Sequence, residues 1–155
     1  PENENSIKKN AIFKSKFIHN IYKSNVFSDD TGLEIEALNN EPGVRSARYS
    51  GEEKNPLKNI ELVLKKLEGI SNRKARFRTV ISLIYNDKNY CFEGIVNGTI
   101  IDKPKGNMGF GYDPIFVANN MKKTFAEISL EEKNKISHRA IATNKLIDFL
   151  LKKVF

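Results

Sequence analysis

Residues 75–85 read ARFRTVISLIY, and polar and apolar side chains alternate along this stretch until both of its faces become apolar from Val80 onward. Alternation with a period of two predicts a β-strand, and the two apolar faces predict that its far half lies inside a sheet. Residues 86–88 (NDK) form a turn signal, and residues 90–101 predict the second long strand. The sequence therefore predicts an antiparallel hairpin.

Two helices and two short strands are predicted before the hairpin. Ser6 is a capping residue, and a helix is expected from residue 7 to residue 23. Residues 25–28 and 33–37 predict strands that flank a bend. A second helix begins at Pro56 and ends before Gly69. The inward stripes predicted for these helices are Ile7, Ala11, Ile18 and Tyr22, and Leu57, Ile60, Leu64 and Leu67.

Residues 45–51 are polar and predict a mobile loop, whereas two further helices are expected near the end of the chain. Residues 129–132 (SLEE) form a capping box that opens the first of them, and the last helix follows residues 137–139. The order of helix, strands, helix, hairpin and helices predicts an α/β fold, with a mixed twisted β-sheet and flanking helices.

The composition is typical of one globular domain, which we expect to span residues 1–155. Apolar side chains make up 39% of the chain, enough for a core of its own. The single Cys91 allows neither an internal disulfide nor a cysteine cluster for zinc. No apolar stretch approaches the roughly 20 residues that a membrane span requires, and no signal peptide is recognised. We expect a cytoplasmic protein with no membrane partner.

The formal net charge is +7, from 26 Lys and Arg against 19 Asp and Glu. The basic residues are scattered rather than arranged in a stripe, so a solvated surface explains them as well as a functional positive field does. One alternative is a basic module that binds single-stranded nucleic acid and stacks bases on Phe77, Tyr90 and Phe92. The core-like alternation of these aromatics disfavours that alternative.

A glycine-rich segment at residues 105–114 reads KGNMGFGYDP. Three of the 9 glycines of the chain lie within six residues there and are interleaved with aromatic residues. Glycine lets backbone amides approach a ligand closely, and aromatic rings offer a stacking surface for a nucleotide base. The same composition is typical of a β-turn, so both interpretations remain open for this segment alone.

Asp29 and Asp30 are adjacent at the predicted bend. Mg²⁺ prefers a few carboxylate oxygens together with phosphate and water, so this pair is a candidate metal site. An ordinary turn rich in aspartate explains the same residues.

His138 and Arg139 stand at the predicted start of the last helix, where backbone amides and the helix dipole favour anions. Lys133 lies on the short helix before them. Together the three residues can bind a phosphate or the polar edge of a base. A solvated helix cap beside a surface lysine is the alternative.

Four motifs occur in a fixed order: residues 29–33 (DDTGL), 42–49 (PGVRSARY), 109–114 (GFGYDP) and 137–139 (SHR). In this order they resemble the inosine triphosphate pyrophosphatase family, and the resemblance covers nearly the whole chain. It implies an ITPase-like α/β fold and hydrolysis of ITP, dITP and XTP to the monophosphate and pyrophosphate. It also implies a Mg²⁺ cofactor, a purine nucleoside triphosphate as partner, no nucleic acid, and a homodimer.

The resemblance further implies roles for individual residues. Asp30 is similar to the general base and metal ligand of the family, with Asp29 and Glu2 as the other metal carboxylates. The expected substrate-binding residues are Thr31, Phe110, Gly111, Tyr112, Asp113, Lys133, His138 and Arg139. Within this set, Phe110 is expected to stack on the purine, and His138 or Arg139 to donate to its 6-oxo group.

The family normally begins with a strand-helix-strand unit that carries a phosphate-binding turn. No part of this sequence matches that unit, so an N-terminally incomplete domain is expected, and a protein that truly lacks the unit is expected to have weak or no activity. An inactive family member therefore stands as a further alternative to the active enzyme.

Overall fold

A computed structural model of the chain describes residues 6–154, apart from the side chain of Val154. Glu2, a predicted metal ligand, lies outside the described residues. The helices are α1 (Ile7–Tyr22), α2 (Pro56–Lys66), α3 (Leu130–Ile136) and α4 (His138–Val154), and the strands are β1 (Val26–Ile35), β2 (Glu41–Pro42), β3 (Lys74–Tyr85), β4 (Lys88–Ile100) and β5 (Phe116–Ala118). Within residues 6–154, no helix has the length and apolar character that crossing a membrane requires.

The predicted hairpin is present as β3 and β4. Their pairing runs from Lys74 with Thr99 at the open end to Tyr85 with Lys88 beside the turn. Asn86 and Asp87 at its tip have φ values of 50° and 63°, the left-handed conformation that suits a two-residue hairpin turn. The sheet order is β2-β1-β3-β4-β5. The α/β class with flanking helices is confirmed, but every pairing among the described strands is antiparallel rather than mixed. The periodicity of a sequence indicates that a strand forms. It does not indicate whether that strand runs parallel or antiparallel to its neighbours.

The predicted bend between two short strands is wrong, because β1 is continuous. Each residue from Val26 to Ile35 pairs with a residue of β3. Gly32 lies within this strand, and a Cβ there would overlap the carbonyl oxygen of Gly43. The glycine therefore allows the segment after β2 to lie directly against β1, and it does not mark a turn.

The helices α1 and α4 cover opposite faces of the sheet. Ala11 of α1 packs near Val80, and Leu146 of α4 packs near Ile81. Because successive side chains of a strand point to opposite faces, β3 lies between the two helices. The largest cluster of buried apolar residues lies toward the open end of the hairpin, away from the Asn86–Asp87 turn. It includes Leu33, Ile35, Phe77, Ile100, Phe116 and Phe125.

The stripe predicted for α1 is correct only in its first half. Ile7 is buried, whereas Ile18 and Tyr22 are exposed. Ser15 lies on the covered face instead, and its hydroxyl is 2.8 Å from that of Ser82 on β3. A polar pair thus replaces apolar contacts beneath the second half of the helix.

On α2, the prediction is correct for Ile60 and Leu67, which are buried, and wrong for Leu57, which is 71% exposed. Val63 and Asn59 are buried although the sequence did not indicate them. Residues 45–51, predicted as a mobile loop, fall largely within a 3₁₀ helix, Gly43–Arg48. Hydrogen bonds of the Asn59 side chain explain its own burial and hold Ser46, Ala47 and Ser50 in place, as described below.

The aromatic residues considered for nucleic-acid binding are covered by other side chains. Phe77 is 6% exposed and lies in the main core. The rings of Tyr90 and Phe92 pack on Phe149 of α4, with centroid separations of 4.5 and 5.4 Å. These rings are engaged within the protein, which argues against a base-stacking surface on the hairpin.

Candidate active site

A cavity of about 340 Å³ opens between β1, α2, the glycine-rich segment and the start of α4. All eight predicted substrate-binding residues line it: Thr31, Phe110, Gly111, Tyr112, Asp113, Lys133, His138 and Arg139. The fold thus brings residues from positions 31 to 139 into one cavity. A mostly apolar cavity with a few convergent polar groups is typical of a small-molecule site.

The glycine-rich segment forms one wall of this cavity. Gly109 has a φ of 72°, and a Cβ at this position would overlap the carboxylate of Asp113. That carboxylate accepts a hydrogen bond of 3.0 Å from the backbone N–H of Phe110. The turn therefore orients Phe110, whose ring remains 65% exposed. The exposed aromatic ring is the observation that favours a ligand-binding role for this segment over a purely structural turn.

Lys133 joins α3 to this wall through a buried ion pair. Its Nζ donates to Asp113 Oδ2 at 2.6 Å, and the two side chains are only 6% and 3% exposed. The same Nζ lies 4.2 Å from the centroid of the Phe110 ring, within the range of a cation–π contact. Ser129 caps α3 by accepting a hydrogen bond from the N–H of Glu132, which is one half of the predicted capping box and fixes the helix that carries Lys133.

His138 is the first residue of α4, and its side chain is buried in the cavity wall. The imidazole stacks on Phe77 with a centroid separation of 4.8 Å and an interplanar angle of 17°. Burial, aided by the charges of Lys133 and Arg139, lowers the pKa of His138 to about 3. The ring is therefore neutral at physiological pH. Within residues 6–154, its Nδ1 is buried without a hydrogen-bond partner.

The two adjacent aspartates point to opposite faces of the sheet, because they are neighbours in a continuous strand. Asp29 lies on the face of α4, where its Oδ2 accepts a hydrogen bond of 2.7 Å from Arg139 Nη1. Asp30 lies on the face of α1 and does not line the cavity. Side-by-side binding of one ion by both carboxylates, as the predicted bend implied, does not fit this geometry.

Lys14 is a charged residue of this region that the sequence analysis missed. Its Nζ lies 3.7 Å from Asp30 Oδ1, and the two side chains are 21% and 11% exposed. Lys14 follows Ile7 by seven residues and Ala11 by three, so it lies on the predicted inward stripe of α1. A lysine at a covered position of an amphipathic helix was the signal that could have identified it.

Asp30 is separated from the cavity by β1 itself, while Thr31 faces the cavity. A ligand that reaches both must cross the outer edge of β1. Within the described residues, that edge pairs with β2 at Glu34 and Ile35.

The described carboxylates fit a metal ion that is held mainly by its substrate. Within residues 6–154, no three Asp, Glu, His or Cys side chains are grouped closely enough to form a metal site. Asp30 provides a partly buried carboxylate on the α1 face of β1. One protein carboxylate together with phosphate oxygens and water is a common arrangement for Mg²⁺.

A sequence model described as the Ham1 family matches residues 1–149. The chain belongs to the Ham1 family. The match includes Glu2 and all four motifs, so the described site lies within the part of this Ham1 chain that the family shares.

The Ham1 chain is similar to proteins named dITP/XTP pyrophosphatase. It is 51% identical over 149 residues to the protein of Flavobacterium psychrophilum, covering 96% of this chain and 78% of that protein. It is 45% identical over 152 residues to that of Bacillus subtilis, covering 96% and 77% of the two chains.

Solved structures show the same fold. A Ham1 protein of Staphylococcus aureus superimposes with a TM-score of 0.96 at 44% identity, covering 99% of this chain and 80% of that one. A HAM1 protein from Coxiella burnetii gives a TM-score of 0.95 at 38% identity, covering 98% and 80%. The recognition of the family and the fold class predicted from sequence are thereby confirmed.

Proposed function

We propose that this chain hydrolyses non-standard purine nucleoside triphosphates, such as ITP, dITP and XTP, to the monophosphate and pyrophosphate. Relatives that share about half of its residues are named dITP/XTP pyrophosphatases. The observation that carries the proposal is the single cavity that gathers Phe110, Lys133 and His138. These residues provide a ring for stacking and polar groups for the edge of a base. Hydrolysis of this kind removes non-standard purines from the nucleotide pool.

The neutral state of His138 supports selection of a 6-oxo purine. A proton on the buried Nδ1 would be a donor without an acceptor among the described residues, so we place the proton on Nε2. From Nε2 it can donate to the keto oxygen of the base, with Arg139 as a second donor. A 6-amino group offers a donor at this place, which leaves these donors unpaired and disfavours adenine.

We propose that Phe110 stacks on the purine. Its ring is exposed, and the ammonium of Lys133 lies against it without covering it. Asp113 and the backbone of Gly111 complete the wall, and Tyr112 contributes its ring at the base of the cavity. Stacking on an aromatic side chain contributes about 1–3 kcal/mol per base.

We propose that the triphosphate extends past Thr31 toward Asp30. We propose that Asp30 accepts a proton from water as that water attacks the α-phosphorus. The bond from the α-phosphorus to the bridging oxygen breaks, and pyrophosphate leaves with the bonding electrons. Arg139 and Lys14 supply positive charge on the two sides of β1, which helps to neutralise charge that develops on the phosphates.

We propose Mg²⁺ as the cofactor, with Asp30 as its ligand among the described residues and Glu2 as a further one. Bound there, Mg²⁺ would withdraw charge from the phosphate oxygens and favour departure of pyrophosphate. Asp29 is engaged with Arg139, so its contribution to the metal site is the least supported by the geometry.

We further propose a homodimer, on the family resemblance alone, and a cytoplasmic location, as expected from the sequence. Size-exclusion chromatography with light scattering tests the dimer, which should have twice the 17.7 kDa mass of the chain. A mass equal to that of one chain at micromolar concentration contradicts it.

The activity is tested by incubating the chain and Mg²⁺ with ITP, XTP, ATP or GTP and following pyrophosphate release. Release from ITP or XTP is expected, and Asp30→Asn should abolish it. Asp148→Asn, which removes an exposed aspartate of α4, is the matched control and should leave turnover unchanged. Absence of pyrophosphate release from every nucleotide contradicts the proposal.

A further inference from the structure

The side chain of Asn59 is buried on α2 and lines the cavity, and its described hydrogen bonds are all made with one segment. Its Oδ1 accepts hydrogen bonds from the backbone N–H and the hydroxyl of Ser50, at 2.8 and 2.6 Å. Its Nδ2 donates to the carbonyl oxygens of Ala47, at 2.9 Å, and of Ser46, at 3.4 Å. Both acceptor sites and both donors of the amide are thus used on residues 43–50, which we call the floor segment.

The floor segment is attached to the strand that carries Asp30. The hydroxyl of Ser46 accepts a hydrogen bond of 2.9 Å from the backbone N–H of Leu33 and donates to the carbonyl oxygen of Gly43 at 2.6 Å. The carbonyl of Gly43 also lies against Gly32, where no side chain larger than hydrogen fits. These contacts fix the floor segment to β1 within three residues of Asp30.

The floor segment is also attached to the cavity wall formed by residues 109–113, which we call the purine wall. The hydroxyl of Tyr112 donates a hydrogen bond of 2.6 Å to the carbonyl oxygen of Ser46. Burial raises the pKa of this phenol, so the hydroxyl keeps its proton at physiological pH. Tyr112 lies between Phe110 and Asp113, the residues that orient the exposed ring and bind Lys133.

The floor segment therefore joins β1 to the purine wall through Ser46, and Asn59 of α2 holds the floor segment in turn. Catalysis requires two things at the same time. The base must be stacked on Phe110, and the α-phosphorus must lie within reach of the attacking water. An error of about 1 Å in such a distance lowers turnover by roughly 100-fold.

We propose that Asn59 is a positioning residue that, through the floor segment, sets the distance between the purine wall and the strand bearing Asp30. This role rests on the proposed hydrolysis. The wall itself is held by the contacts of Asp113 with Phe110 and Lys133, which do not involve Asn59. Loss of the floor contacts should then disturb the alignment of the triphosphate and leave binding of the isolated nucleoside intact.

Three variants separate this role from a general effect on stability. Asn59→Asp keeps the shape of the side chain but replaces both donors to the carbonyls with a repelling oxygen. Tyr112→Phe keeps the ring in the cavity and removes only the hydroxyl. Asn55→Ala is the control: Asn55 caps α2 through the N–H of Lys58, so its loss weakens the same helix without touching the floor segment.

The readouts are kcat for ITP, the inhibition constant of inosine, the thermal midpoint, and exchange of the Leu33 amide hydrogen followed by NMR. For Asn59→Asp and Tyr112→Phe we expect kcat to fall about tenfold or more, with the inhibition constant of inosine changed less than twofold. Leu33 exchange should accelerate at least tenfold in Asn59→Asp. For Asn55→Ala the midpoint should fall while kcat and Leu33 exchange match the wild type.

An unchanged kcat in Asn59→Asp overturns the proposal, as does a fall in kcat that Asn55→Ala reproduces. A matching rise of the KM for ITP and the inhibition constant of inosine, with kcat preserved, also overturns it, because the floor would then serve base binding alone. A wild-type chain that releases no pyrophosphate from ITP refutes the proposed hydrolysis and the positioning role with it. In that case Leu33 exchange still shows whether Asn59 anchors the floor segment.

Discussion

Arg139 at the start of α4 donates a hydrogen bond of 2.7 Å to Asp29 in the middle of β1. This contact joins the helix that begins with His138 to the strand that carries Asp30. The pair is partly exposed, with 52% and 39% of the two side chains accessible, so its electrostatic contribution to stability is small. The contact holds the guanidinium of Arg139 beside the cavity that it lines.

Substitution of Asp29 by Asn should therefore have a modest effect. Exposed ion pairs contribute about 0.2–1 kcal/mol, which predicts a roughly 1.4- to fivefold fall in kcat/KM for ITP. Arg139→Lys should cause a larger fall, because Lys does not reproduce the planar fork of Arg toward a phosphate or a base edge. Steady-state kinetics of both variants tests this order, and a greater loss in Asp29→Asn would indicate direct metal binding by Asp29.

Phe110→Ala should raise the KM for ITP strongly. Loss of about 1–3 kcal/mol of stacking corresponds to a roughly 5- to 150-fold increase. The free energy of unfolding should change little, because the ring is 65% exposed. Met108→Ala removes another exposed apolar side chain of the same segment and serves as the control. An unchanged KM in Phe110→Ala would refute the stacking role.

Lys133→Met should destabilise the fold as well as the site. It leaves the buried carboxylate of Asp113 without its ion-pair partner, and breaking such a pair costs about 3–5 kcal/mol. Urea denaturation measures the loss. The double variant Lys133→Met with Asp113→Asn should recover part of the stability, since no uncompensated charge remains. A loss below 1 kcal/mol in the single variant would show that the pair is not buried in solution.

The pH dependence of stability should contain a contribution from His138. Its folded pKa, about 3, lies below the ordinary value of about 6.5, so between these pH values the unfolded chain binds more protons. The free energy of unfolding therefore falls as the pH drops below 6.5, by at most about 1.4 kcal/mol per pH unit from this group. His138→Gln should remove this part of the slope, and His19→Gln is the control. Equal slopes in wild type and His138→Gln would contradict the neutral, buried imidazole.

The hairpin could be predicted from the sequence because β3 alternates clearly and the Asn86–Asp87 turn fixes its partner. Phe110 and His138 could be predicted because they belong to motifs that occur in a fixed order, and Lys133 because it lies on the short helix just before the last motif. The continuity of β1 could not, because Ser28, Asp29, Asp30 and Thr31 place polar side chains on both faces and conceal the alternation.

The floor segment was also hidden from sequence. Its polar composition is typical of a mobile loop, but its partners are far along the chain. Ser46 contacts Leu33 across 13 positions and Tyr112 across 66. Such contacts depend on the tertiary fold, so local composition carries no trace of them. The contact of Lys14 with Asp30 was missed because it also depends on the tertiary fold. The packing of α1 on β1 brings the two side chains together.

The most direct test of the proposed function is hydrolysis of ITP in water enriched in ¹⁸O, with mass analysis of the products. Attack on the α-phosphorus predicts IMP and pyrophosphate, with one ¹⁸O in IMP and none in pyrophosphate. ATP should be cleaved far more slowly under the same conditions. Formation of IDP and phosphate, appearance of the label in pyrophosphate, or equal cleavage of ATP would contradict the assignment.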